Sequence, residues 1–229
     1  MTINRLDNNG RLLIALAEQL KLPLAQIAMQ AEASQNSEDL RQIISTAEIS
    51  IQLIDGLILG INNKAQTFLH LQPVSLSSVL QASREDLIEH ARNYNCKIEL
   101  DINGRFGPVM GDFRALQSAF TALGHSMIES QSQAARKLVI LSAYGNRDSV
   151  KAGVFSEGTS LNFDMFRRSK VLAGSARQPL TGKSSSPAAG LFIADSLFTI
   201  FASQLKLARH HKLSGLVTTL QPSKQLKLV

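Results

Sequence analysis

A heptad rhythm of apolar side chains most constrains what the first third of this chain can become. Apolar residues fall at Leu13, Ala17, Leu20, Leu24, Ile27 and Ala31, in alternating steps of four and three. The same alternation returns at Leu40, Ile44, Ala47, Ile51, Ile54, Ile58 and Ile61. Such spacing keeps one seam of a helix facing a partner helix, so both segments are expected to be helical. Ser34 to Ser37 supply turn residues between them, and Ser37 is a natural N-cap, which predicts an antiparallel hairpin. Leu12, Leu16, Ile43, Leu53 and Leu57 lie off the seam and would stay exposed on an isolated hairpin. Dimerisation into a four-helix bundle would bury them, with Leu13, Leu20, Leu24, Ile27, Ile44, Ile51, Ile54 and Ile58 at the interface. Pro23 should bend the first helix, because it deletes a backbone hydrogen bond.

Beyond residue 70 the pattern changes. Leu76, Val79, Leu80, Leu87 and Ala91 have helical spacing, and Lys97 to Ile102 alternate as a half-buried strand does. Asp112 caps an expected helix from Phe113 to about Ser130, and Leu138 to Leu141 form a buried-strand run. A strand over Val150 to Phe155, a Ser/Gly/Pro-rich loop over Ser169 to Pro187, a helix over Ala188 to Ala202 and a closing hairpin follow. The expected architecture is α+β: residues 1–70 form a helical dimerisation hairpin, and residues 71–229 form an α/β sandwich.

Composition excludes several classes. The single cysteine, Cys96, cannot form an internal disulfide, and no apolar run is long enough for a membrane span, so a cytoplasmic location is expected. With one thiol and few histidines, no metal site is expected; the pair His210 and His211 reads as a solvated hairpin turn. Residues 132–229 hold 14 basic and 4 acidic side chains, so most of the net charge of +6 sits there. Such a half would attract an acidic protein face, an anionic membrane or nucleic acid, although without Trp and with two Tyr there is little to stack on bases. Thr181-Gly182-Lys183-Ser184 imitates the end of a phosphate-binding loop, but Arg177 stands where that loop needs glycine.

Four segments in order resemble the dimerisation and ATP-binding core of bacterial sensor histidine kinases, from about Leu12 to Leu220. Glu18-Gln19-Leu20-Lys21-Leu22-Pro23-Leu24 looks like the phosphoacceptor segment H-E-L-R-T-P-L, and Val109 to Asp112 look like the approach to the N box. Gly190-Leu191-Phe192-Ile193-Ala194 looks like the end of the second glycine box, and Gly215 to Pro222 resemble the closing strand.

The same resemblance implies that the working parts are replaced. Glu18 stands at the phosphoacceptor position, where the family carries histidine. Against N-L-L-x-N-A the chain offers Thr121 to Ser126, which sets His125, a poor magnesium ligand, in place of an asparagine. Ser156 replaces the aspartate that recognises adenine in D-x-G-x-G, leaving only Gly158 of that box, and Ala188 and Ala189 leave Gly190 alone in the second. Phosphoryl transfer depends on positioning and charge neutralisation, so these losses together imply a pseudo-histidine kinase with no cofactor.

What the resemblance leaves is docking. In the family, response regulators bind the bundle below the acceptor position, here the face of Lys21, Leu22, Ala25, Gln26 and Met29. The expected function is a catalytically inactive homodimeric adaptor in two-component signalling, taking its input from another protein. Two alternatives stay open: a histidine phosphotransferase of a phosphorelay, and a basic module that binds nucleic acid or a membrane surface.

Overall fold

A computed structural model describes residues 71–131, 137–145, 149–157 and 188–223, with Ile27 as one further helical position. The expected hairpin, its dimer seam, Glu18, the docking face, Gly158 and the Ser169 to Pro187 loop lie outside the described residues. The described part is α+β. Its elements are β1 (Gln72–Val74), α1 (Leu76–Asn93), β2 (Lys97–Gly104), β3 (Val109–Gly111) and α2 (Phe113–Ser130), then β4 (Leu138–Gly145), β5 (Val150–Ser156), α3 (Ala188–Ile200), β6 (Lys206–His210) and β7 (Leu213–Leu220).

Local chemistry sets the helix ends. Ser75 and Asp112 both have extended backbones, and their side chains accept hydrogen bonds from the amides of Ser78 and Ala115, satisfying donors that the first turn leaves unpaired. Helix α3 stops at Ile200, short of the expected Ala202. Ala202 takes a positive φ of 52°, and the amides of Ala202 and Ser203 bond back to the carbonyls of Thr199 and Phe198, a left-handed C-terminal closure. At the other end of the domain, the amide side chain of Gln131 receives the Leu138 N–H at 3.0 Å, tying the end of α2 to the start of β4.

β1 and β3 pair antiparallel as a small separate sheet, and the other five strands form a mixed sheet in the order β2-β4-β5-β7-β6. Only β2 and β4 run parallel; the remaining neighbours are antiparallel. The pleat divides the residues. Ile98, Val139, Leu141, Ala143, Val150, Ala152, Val154 and Leu216 join the helices in the main core, where Phe120 of α2 meets Phe198 of α3 edge-on at 5.0 Å. Helix α2 is central, with α1 and α3 packed on it. The carboxylate of Asp86 on α1 accepts from Gln117 at 2.8 Å and Thr121 at 3.2 Å on α2, which fixes the rotation of one helix against the other. Among the described residues no helix is long and apolar enough to cross a membrane.

The opposite, outer face carries a second apolar cluster of Phe155, Leu213 and Val217, with Ile140, Tyr144 and Ala208 packed against it. Close approach of β5 and β7 makes this possible. A Cβ on Gly153 would lie 2.3 Å from the Leu216 carbonyl, and one on Gly215 would lie 2.2 Å from the Val154 carbonyl. Glycine at these two positions leaves no side chain in that close approach. His210, at the end of β6, reaches back over the outer face to Tyr144 and Phe155.

Candidate functional site

Of the candidate nucleotide-site residues, the structure describes His125 in α2, Ser156 at the end of β5 and Gly190 in α3, and it brings Ser156 and Gly190 to one turn of α2. Ser156, at the end of β5, is 1% exposed, and its hydroxyl points at the Met127 thioether sulfur at 3.7 Å. Gly190, in the first turn of α3, sits so close to α2 that an added Cβ would lie 2.2 Å from the Ser126 hydroxyl and 2.6 Å from the Ala122 carbonyl. Ser126 itself bonds back to Ala122 at 3.2 Å. The turn of α2 that faces the two glycine-box positions is thus Ala122, Ser126 and Met127, and it is filled by direct helix-to-helix and helix-to-strand contact.

His125 belongs to a different face of α2. Its ring meets His90 of α1 edge-on at 4.4 Å, and His90 in turn lies 3.6 Å from the Glu129 carboxylate. His125 is buried with no hydrogen-bond partner on either ring nitrogen. Burial, with the neighbouring His90 second, holds its pKa well below the ordinary imidazole value of 6.5, so the ring stays neutral. Gly124, one residue earlier, lets Leu87 of α1 approach: an added Cβ would meet its methyl at 2.3 Å. Cys96 is also inert, because burial pushes its thiol up to about 11.

A second constellation lies on the outer face, and the sequence reading missed it. His210 was expected to be a solvated turn residue, but its side chain is only 13% exposed and lies 2.5 Å from Asp101 of β2. Its ring lies over Phe155 at 5.0 Å and stacked on Tyr144 at 5.7 Å. His211 follows with a positive φ of 54° and reaches the same Asp101 oxygen at 3.6 Å. The hydrogen bond from His210 holds the Asp101 carboxyl below its ordinary value of 3.8.

No family model matches this sequence, and no curated protein matches it. Solved structures do. The Acinetobacter baumannii histidine kinase AdeS is 13% identical, covers 90% of this chain and 98% of its own, and superposes with a TM-score of 0.55. The chain has a histidine-kinase-like fold. The catalytic domain of histidine kinase ThkA, at 10% identity, covers 67% of this chain and 96% of its own with a TM-score of 0.53. Full-length ShkA, solved in complex with AMPPNP, is 13% identical over 90% of this chain and 44% of its own, with a TM-score of 0.52. At these identities the likeness is one of fold: a mixed sheet backed by helices, as in the ATP-binding domains of those kinases.

Proposed function

We propose that this chain is a catalytically inactive, histidine-kinase-like homodimer that regulates two-component signalling by binding a response regulator or another signalling protein. The observation that carries this reading is the environment of Ser156. Where the resembled kinases would place a carboxylate to receive the adenine amino group, a neutral hydroxyl lies buried against Met127. A hydroxyl lacks the negative charge of that carboxylate and its second acceptor oxygen. Ala188 and Ala189 add to it: they stand where the resembled glycine box carries residues without side chains, leaving Gly190 as its one glycine. Glu18 in the phosphoacceptor segment supports the same reading, since a carboxylate cannot form phosphohistidine.

Binding would fall to the bundle face of Lys21, Leu22, Ala25, Gln26 and Met29. Two measurements test the proposal. Incubation of the full chain with radiolabelled ATP and Mg²⁺ should give no acid-labile label. Titration with response regulator receiver domains should give a complex with a Kd on the order of tens of micromolar or tighter for at least one partner, weakened by Leu22→Glu. Acid-labile label would overturn the inactive assignment, and failure of every receiver domain to bind would overturn the adaptor role.

A further inference from the structure

The outer face holds a group of side chains that the kinase-like reading does not use. We infer that Asp101, His210 and His211 form a binding site for a borderline divalent transition metal, of which Zn²⁺ is the representative, and that the bound ion pins the β6–β7 hairpin to β2. Asp101 and His210 are 109 residues apart in sequence and sit on the two opposite edge strands of the sheet. In a flat sheet four strand spacings of about 4.8 Å would separate them. In this fold they lie 2.5 Å apart across the outer face.

The donor atoms suit the ion. One carboxylate oxygen and two imidazole nitrogens lie within 4.8 Å of one another. In a tetrahedral zinc site with ligand distances near 2.1 Å, neighbouring donors stand about 3.4 Å apart. The His211 to Asp101 separation of 3.6 Å already meets that requirement. The His210 to Asp101 pair, at 2.5 Å, would open by about 1 Å as the ion replaces their hydrogen bond. Two nitrogens and one oxygen form the donor set that zinc, nickel and copper prefer and that magnesium and calcium do not.

The surroundings also resemble a built site. Asn103 donates to the other Asp101 oxygen, Oδ1, which leaves Oδ2 for the histidines. Ser142, the register partner of Asp101 on β4, lies 3.4 Å from the same His210 nitrogen. The His210 ring lies stacked on Tyr144 and tilted over Phe155, contacts that limit its rotation before any ion arrives. The left-handed backbone at His211 is unfavourable for a non-glycine residue, and it is the conformation in which the second imidazole lies near Asp101. His211 is 73% exposed, which gives the ion an entry path. Lys212 places a positive charge in the same turn, which opposes a divalent cation.

The test uses the full chain, free of any histidine tag and stripped with a chelator. Zn²⁺ competed against a chromophoric chelator should bind one equivalent. At tenfold excess over Kd it should raise Tm by about 3 to 5 °C, while Mg²⁺ does nothing. His211→Asn keeps a residue that accepts positive φ, and Asp101→Asn keeps the side-chain shape; each should weaken zinc at least about tenfold while the metal-free protein stays folded. Zinc should also slow amide exchange in Lys206 to Leu220. Zinc affinity equal in wild type and both variants, or no binding up to about 1 mM, would overturn the site.

Discussion

The two faces of the five-stranded sheet are held by different physics. On the helix-covered face, Val139, Leu141, Val154 and Leu216 meet α1 and α2 in a dry core whose cohesion comes from removing apolar surface from water. On the outer face, a small apolar patch around Phe155 and Val217 is crossed by a polar link from His210 to Asp101. The first face is a nondirectional packing problem that many apolar sequences could solve. The second depends on the placement of two glycines and three polar side chains, so it holds information particular to this chain. On the helix-covered face Ser156 packs on Met127 and Gly190 lies close against Ala122 and Ser126, whereas on the outer face Asp101, His210 and His211 bring three polar donors together.

Four substitutions sharpen the contrast, from the largest effect to the smallest. Phe120→Ala in the helix-covered core removes the ring that meets Phe198 and should cost about 4 kcal/mol in a denaturant titration. Gly190→Ala should cost about 2 kcal/mol, because its methyl must push α3 away from the Ala122 carbonyl and the backbone yields reluctantly. A cost near zero there would mean that α3 stands further from α2 and that room for a ligand exists.

His125→Leu should stabilise. It replaces a buried ring with two unpartnered nitrogens by an apolar side chain, for a gain of about 1 kcal/mol at neutral pH. The gain should grow in acid. The folded-state pKa of His125 lies below 6.5, so the unfolded chain takes the proton first. The stability linked to neutral His125 is present above pH 6.5 and is lost as pH falls below it, by at most about 1.4 kcal/mol per pH unit. The variant should lack that slope. The smallest effect belongs to metal-free Asp101→Asn, below about 1 kcal/mol because the carboxylate is partly solvated. Its deficit should be present at neutral pH and vanish as pH falls through the lowered Asp101 value, below 3.8.

Much of the helix-covered face was legible in the sequence. The cap at Asp112, the apolar spacing of α1 and α2, and the runs Leu138 to Leu141 and Val150 to Phe155 are short-range signals. Each depends on neighbours within a few residues, and the structure reproduces those elements with small shifts at their ends. The strand at Val109 to Gly111 was suggested by the resemblance, but β1 and its pairing with β3 escaped because a three-residue strand carries too little pattern to stand out. His210 was misread because its partner is 109 residues away on the opposite edge strand, beyond the reach of any local pattern. His125 showed as a histidine in the N-box region, but periodicity could not tell that it faces His90 of α1 while Ser126 and Met127 face Gly190 and Ser156.

Calorimetric titration of Mg-ATP into the full chain tests the central proposal most directly. A flat isotherm up to about 1 mM nucleotide, unchanged when Mg²⁺ is withheld, is the expected result. Saturable heat with a Kd below about 100 µM that requires Mg²⁺ and disappears in Ser156→Phe would show a working nucleotide site beside β5 and contradict it.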